Sequence, residues 1–322
     1  MPDSHPGGSG LSANSPTPMS PPGPLPRRLL LTTVLLAGAP LHTAAAAPIT
    51  FNTALPVAKG EFVSRLQLVS VASGHDPSGL DRKLSADTAV GVLGYGLTRD
   101  LALFGVVPYS DRGLDLRVAG ERRHRSADGL GDVSAFGRYT VYQRDWPGRT
   151  LRIAPFLGAK APTGSDDKSD GQGRLPPSVQ PGSGSWDGFG GLVSTYQTLD
   201  LQIDAQIGYR ANGEENGFRA GNELRLDGSI QYRLWPRSLG SGVPGFIYGV
   251  LETNLFFRDK NELDGRDDPS SGGTTLFISP GIQYVTRRLI LEAALQLPVV
   301  QDLHGDALEL DYIARGGIRF NF

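Results

Sequence analysis

Three histidines, His75, His124 and His304, could transfer protons, and each lies in a polar, turn-rich stretch of the chain. A serine hydrolase needs its nucleophile and base within hydrogen-bond reach, often with the serine on a G-x-S-x-G elbow. The chain has no such elbow. Asp166, Asp167 and Asp170, or Asp264, Asp267 and Asp268, could offer oxygen ligands to a hard cation, but neither group has EF-hand spacing. Gly94-Tyr95-Gly96 lacks the following helix that phosphate binding requires. The residues therefore point away from an enzyme and imply no cofactor and no metal site. A net charge of −2 gives no basic surplus for nucleic acid.

The remaining chemistry is that of a wet interior. Arg65, Arg138, Arg152, Lys160, Asp204, Arg210, Glu223, Arg225, Asp227, Arg233, Glu252, Glu292, Glu309, Asp311, Arg315 and Arg319 share strand faces opposite apolar residues. Charges withdrawn from bulk water must be paired, so opposite signs on neighbouring strands predict cross-strand ion pairs. Glu309 and Asp311 are expected to face basic partners such as Arg65. No ring of one sign appears, so ion selectivity is not indicated. Phe104, Phe136, Phe156, Phe246, Tyr248 and Phe256 fall on the same inward face, where they could form a greasy slide for aromatic solutes or pack the interior.

These side chains are positioned by strands. In Leu308–Phe322 the set Leu308, Leu310, Tyr312, Ala314, Gly316, Ile318, Phe320 and Phe322 alternates with a set carrying Glu309, Asp311, Arg315 and Arg319. Successive side chains on a strand point to opposite faces, so this stretch has one apolar face and one wet face. The same pattern recurs cleanly at 201–210, 223–233 and 289–298. Strands are expected near 61–71, 84–96, 101–110, 131–143, 150–160, 187–197, 200–210, 222–234, 245–257, 274–285, 289–300 and 308–322. That makes about twelve, an even number, as single-chain bacterial barrels have. Pro155, Pro280 and Pro298 fall inside strands and should mark bulges or ends, because proline removes a ladder hydrogen bond.

Short connections alternate with long polar ones at 72–83, 111–130, 161–186, 211–221, 258–273 and 301–307. Short turns on one side and long loops on the other characterise transmembrane antiparallel up-and-down β-barrels, with short periplasmic turns and long extracellular loops. Tyrosines near strand ends, with Trp146 and Trp235, suit the two headgroup levels. The fold class is therefore an all-β transmembrane barrel, and its first partner is outer-membrane lipid.

Residues 1–26 are rich in Pro, Ser and Gly and read as a disordered leader extension. Residues 27–47 combine Arg27 and Arg28, an apolar run and an Ala-rich end, the layout of a cleaved signal peptide. Cleavage is expected near Ala45–Ala47. Residues 48–60 then form a periplasmic segment, and 61–322 the barrel.

Gly129-Leu130-Gly131-Asp132-Val133, Pro162-Thr163-Gly164 and the run from Leu175 to Asp187 (LPPSVQPGSGSWD) carry a resemblance. They are similar to the meta-pathway phenol-degradation family of outer-membrane barrel transporters. The resemblance implies passive uptake of small hydrophobic or aromatic compounds, and it carries no catalytic or binding residues. The alternative is a structural or adhesion barrel whose lumen is closed by its charges. Read bottom-up, the motif glycines allow turns closed to other residues, and Pro176 and Pro177 stiffen a long loop that could fold into the barrel mouth. Phe322 resembles the terminal aromatic by which the barrel-assembly machinery reads the last strand.

Overall fold

The computed structural model describes residues 46–238 and 245–322. The leader extension and all but the last two residues of the expected signal peptide lie outside them. Twelve antiparallel strands form a closed barrel. They are β1 (Phe62–Ser73), β2 (Lys83–Gly96), β3 (Leu101–Val118), β4, β5 (Arg149–Lys160), β6 (Asp187–Thr198), β7 (Leu201–Ala211), β8 (Glu223–Trp235), β9 (Phe246–Arg258), β10 (Gly273–Val285), β11 (Leu289–Leu303) and β12 (Tyr312–Asn321). Strand β4 runs in three pieces, Glu121–Leu130, Ser134–Tyr139 and Tyr142–Trp146. Each strand pairs with its sequence neighbours, and β12 closes on β1 with Arg319 opposite Arg65. Closure leaves no unpaired sheet edge, which is what lets strands cross a lipid bilayer.

Alternation decides which side each residue serves. On β7, Ile203, Ile207 and Tyr209 are exposed on the outside, whereas Gln202, Asp204 and Gln206 are buried inside. On β8, Ile230 and Tyr232 face out while Asp227, Ser229 and Gln231 face in. A one-residue slip would exchange these faces, so the lipid-facing pattern fixes the register. The molecule is thus built inside out, with its aliphatic side chains on the surface and its polar ones at the centre.

The prolines act where the ladder gives way. Pro298 borders a register shift between β10 and β11, where Val299 is skipped. Pro155 stands where β4 breaks between Tyr139 and Tyr142. On β10, Pro280 has no partner on the β11 side. Pro108 of β3 meets the other break in β4, where its carbonyl accepts the Gly131 N–H at 2.9 Å. A residue without an N–H costs nothing where no partner waits for it.

Several expected loops contain more structure than their sequence suggested. The 111–130 stretch is a hairpin that extends β3 and β4 beyond the barrel, turning at Ala119 (φ 53°) and Gly120 (φ 85°). Neither face meets lipid at this height, so charges fall on both and the apolar alternation is lost. The loops expected at 211–221 and 258–273 each carry a small hairpin, turning at Asn216-Gly217 and Asp264-Gly265. Positive φ at both turn residues is the geometry that matches strand twist. The two tips pair through Phe218 with Leu263 and Arg219 with Glu262. The last strand begins at Tyr312, four residues later than expected, because Leu308–Asp311 belongs to the rim.

Candidate functional site

Residues 46–55 lie inside the barrel. The stretch expected to sit in the periplasm as 48–60 therefore spends its first half in the lumen. Ala46 packs among Tyr248, Val285 and Ile290 near the short-turn end. Ile49 is fully buried, with Val250 and Ala294 beside it. The chain then returns to the same end, where Gly60 donates to the Gly96 carbonyl at 2.8 Å before β1 begins. A backbone inside a polar tube must still satisfy its N–H and C=O groups. It offers them to the wall, and the wall's side chains answer.

Glu252 on β9 accepts the Ile49 N–H at 2.6 Å, the Thr50 N–H at 3.0 Å and the Thr50 hydroxyl at 2.5 Å. From other strands Arg65 and Gln67 donate to the Ile49 carbonyl at 2.5 and 3.1 Å. Arg225 donates to the Thr50 carbonyl at 3.0 Å, and Arg138 to that of Leu55 at 2.5 Å. Thr195 takes the Ala54 N–H at 2.8 Å, and Gln283 reaches the Ala47 carbonyl at 2.6 Å. Arg319 makes a longer contact of 3.5 Å to the Pro48 carbonyl.

The same side chains pair with one another. Glu292 holds both Arg65, at 2.5 Å, and Arg319, at 3.2 Å. Arg225 pairs with Asp227 at 2.5 Å, and Arg233 with Asp200 at the short-turn end. Asp204 accepts from Thr195 and Gln202. Arg315 donates to Gln296 at 2.5 Å, and Arg152 to Gln143 at 2.7 Å. Buried charges without partners are prohibitively costly, and this mesh gives them ion pairs or, for Arg138, Asp204, Glu252 and Arg315, hydrogen bonds to neutral groups.

Glu309 and Asp311 are not part of it. They lie at the opposite end from Arg65, where Glu309 bridges to His75 and the Asp311 N–H meets the Ala72 carbonyl at 2.8 Å. Arg65 sits low on β1 and takes Glu292 from β11 instead. The three histidines are scattered over the rim. His124 contacts Asp115 at 3.0 Å, His304 the Ser271 carbonyl at 3.1 Å, and His75 borders a rim cavity of about 460 Å³. Among the described residues no group of three or more His, Asp or Glu is arranged to hold a metal.

The aromatic residues form a second feature. Phe104 and Phe136 stack with centroids 4.7 Å apart, and Phe136 meets Phe156 and Phe189 edge-on at 6.4 and 6.1 Å. Arg138 caps one end, 4.9 Å over Phe104, and Arg210 the other, 5.9 Å from Phe189. The rings lie against glycines on adjacent strands. A Cβ on Gly158 would stand only 2.5 Å from that of Phe136 and 2.6 Å from the Phe189 ring. Elsewhere on the wall Phe256 packs edge-on to Phe277 at 5.9 Å, and Phe246 edge-on to Tyr248 at 6.4 Å. Phe189 and Phe277 were absent from the sequence-based set, although both belong to aromatic-bearing strands with the same alternation.

Above the segment a vestibule of about 600 Å³ opens among the long loops. The 161–186 loop folds against the inside of the β3–β4 hairpin, burying Leu175 and Val179 on Leu114 and Ala127. Gln180 ties it together by donating to the Lys168 and Leu175 carbonyls at 2.9 and 3.1 Å. Its glycines are needed for close approach, since a Cβ on Gly182 would stand 2.4 Å from the Gly164 carbonyl oxygen. Asp132 receives the Gly164 N–H at 3.0 Å and the Ser183 N–H at 2.8 Å. The three motifs noted in the sequence thus meet at one seam.

A closed antiparallel barrel with an apolar exterior, a wet interior, short turns at one end and long loops at the other is an outer-membrane β-barrel of the channel type. The family described as "Putative MetA-pathway of phenol degradation" matches residues 81–297, and the chain belongs to that family. Among solved structures, the COG4313 outer membrane channel from Pseudomonas putida F1 shares the fold at TM-score 0.64 and 14% identity, over 86% of this chain and all of that one. The NanC porin is more distant, at TM-score 0.44 and 12% identity over 80% of this chain and 98% of that one. Comparison with curated proteins finds no match. The protein is accordingly located in the bacterial outer membrane, with its long loops outside the cell.

Proposed function

We propose that the protein admits small hydrophobic or aromatic compounds passively, through a lumen whose periplasmic half is occupied by residues 46–55. The observation that carries this reading is the contiguous run of Phe104, Phe136, Phe156 and Phe189 along the wall. Rings offer a solute dispersion contact without a fixed hydrogen-bond pattern, which suits passage of many related molecules. No energy source or cofactor enters the scheme. Passage requires the 46–55 segment to shift, and a hydrogen-bonded strap can exchange its partners for water as it does so.

A second reading is favoured by the mesh itself. A lumen sealed by Glu252, Glu292, Arg65 and Arg319 around a buried strap also describes a structural or adhesion barrel. Uptake of phenol, benzoate and glucose into liposomes carrying the refolded protein separates the two. Faster entry of the aromatic solutes than in protein-free liposomes, with glucose excluded, supports the channel. Equal rates with and without protein would sink it.

Two further assignments belong with this proposal. Export uses a signal peptide cleaved near Ala45–Ala47, which frees the strap's leading end. The barrel-assembly machinery reads the last strand through Phe322, whose ring stacks on Phe62 at 5.9 Å.

A further inference from the structure

The vestibule holds four basic side chains, and three of them are already neutralised. Arg82 pairs with Asp76 at 2.6 Å, Lys160 with Asp187 at 2.6 Å and Asp132 at 3.1 Å, and Arg258 with Glu223 at 2.7 Å. The fourth, Arg210, faces inward at the outer end of β7 and makes no ion pair or hydrogen bond among the described residues. Its contact is with the Phe189 ring, 5.9 Å away, at the head of the aromatic run. Leu84, Leu114 and Phe218 give the same cavity an apolar side. We propose that the vestibule binds an aromatic monocarboxylate, whose carboxylate is held by Arg210 and whose ring lies against the apolar side. The proposal deepens the channel reading and rests on it for the solute's onward path.

The chemistry selects that ligand. A guanidinium is a planar fork that matches a carboxylate with two parallel hydrogen bonds. A neutral aromatic of the same size would leave this fork unanswered. The cavity volume, about 600 Å³, is that of a small-molecule pocket and accommodates a single-ring acid. Asp259 also lines the cavity without an ion-pair partner among the described residues, so a second carboxylate on the ligand would meet like charge. One carboxylate and one ring satisfy both conditions.

The test is calorimetric titration of the refolded full chain in detergent with benzoate, benzyl alcohol and phthalate. Benzoate should bind more tightly than either of the others, and Arg210→Gln should weaken benzoate about ten-fold or more. Unchanged benzoate affinity in Arg210→Gln would overturn the site, as would benzyl alcohol or phthalate matching benzoate. Should that variant fail to fold, the guanidinium NMR signal of Arg210 in the native protein must move on adding benzoate, and a static signal overturns the site. Liposome uptake keeps the two proposals apart. Binding through Arg210 without uptake refutes only the channel, whereas benzoate uptake unaltered in Arg210→Gln refutes only the site.

Discussion

Glu252 and Ile49 are 203 residues apart in the chain, yet the Ile49 N–H reaches the Glu252 carboxylate at 2.6 Å in the middle of the barrel. The same carboxylate takes the Thr50 N–H and hydroxyl, so one side chain clamps two consecutive residues of the strap. Glu252→Ala would leave these donors without a buried acceptor, at roughly 1–3 kcal/mol each. The strap should then leave the lumen more often. Single-channel recording should show more frequent or larger openings than the native barrel. Unchanged traces would mean that the strap is held by the remaining contacts.

The outer loop is pinned by two apolar side chains. Val179 is completely buried against Leu114 and Ala127. A carboxylate there would be buried among apolar side chains, so Val179→Asp should release the loop at a cost of roughly 2 kcal/mol or more. The barrel itself should remain folded, since opening of this kind is local. Trypsin cleavage after Arg174 reads the effect and should be about thirty-fold faster, by the conversion of free energy into a rate ratio. Equal rates would show that Val179 is not the anchor.

Lipid-facing and lumen-facing positions should respond oppositely to charge. Ile230 is exposed near the centre of β8, flanked in the chain by buried Ser229 and Gln231. Ile230→Arg places a cation at mid-bilayer depth and should cost about 2–4 kcal/mol. Refolding into phospholipid vesicles under urea titration measures it, with a lower midpoint expected. A midpoint at the native value would contradict the assignment of this face to lipid.

Two carboxylates in the outer loops should titrate low. Burial opposes ionisation of Asp76, but hydrogen bonds from the side chain and backbone of Arg82 and from Ser78 outweigh it and hold the group well below its ordinary value of 3.8. Asp170 is lowered chiefly by the hydrogen bond from Arg125. A lowered folded-state value means that the ionised form favours the ordered loop. That contribution is fully present above 3.8 and fades as pH falls through the folded-state values. Carboxyl NMR titration should find both midpoints below 3.8, and a midpoint at or above it would show that the loop pairs do not persist in solution.

Assembly offers a final check. Phe322 is exposed, and its backbone exchanges hydrogen bonds with Phe62 at the seam where the barrel closes. Phe322→Asp should reduce the heat-modifiable, membrane-inserted fraction of the protein made in cells while leaving refolding in detergent intact. Full insertion in cells would remove the proposed role in recognition.

Much of the barrel was legible because lipid imposes a strict two-residue period. Leu201–Arg210 and Glu223–Arg233 announce their faces residue by residue. Where lipid ends, so does the signal, and the β3–β4 hairpin around Ala119-Gly120 carries charges on both faces like any solvated loop. Arg65, Glu252, Glu292 and Arg319 could be placed on the inner face from alternation alone. Their partner could not, because Pro48–Leu55 has no periodicity and is recognised mainly through its backbone. A stretch that contributes carbonyls and N–H groups leaves almost no mark in the side-chain alphabet. Similarly, Glu309 and Asp311 show the alternation of β12 before the strand has begun at Tyr312.

That mode of recognition has a consequence for how the strap tolerates change. The wall grips the carbonyls of Pro48, Ile49, Thr50 and Leu55 and the N–H groups of Ile49, Thr50 and Ala54. These groups are common to nearly every amino acid. Among the described residues only the Thr50 and Thr53 hydroxyls are also read, by Glu252, Asn254 and Thr195. Elsewhere the seal is largely indifferent to spelling: most substitutions that keep the path and the bulk should seat as well as the native residues. A rewritten segment could keep the lumen filled while the wall residues that read it stay fixed.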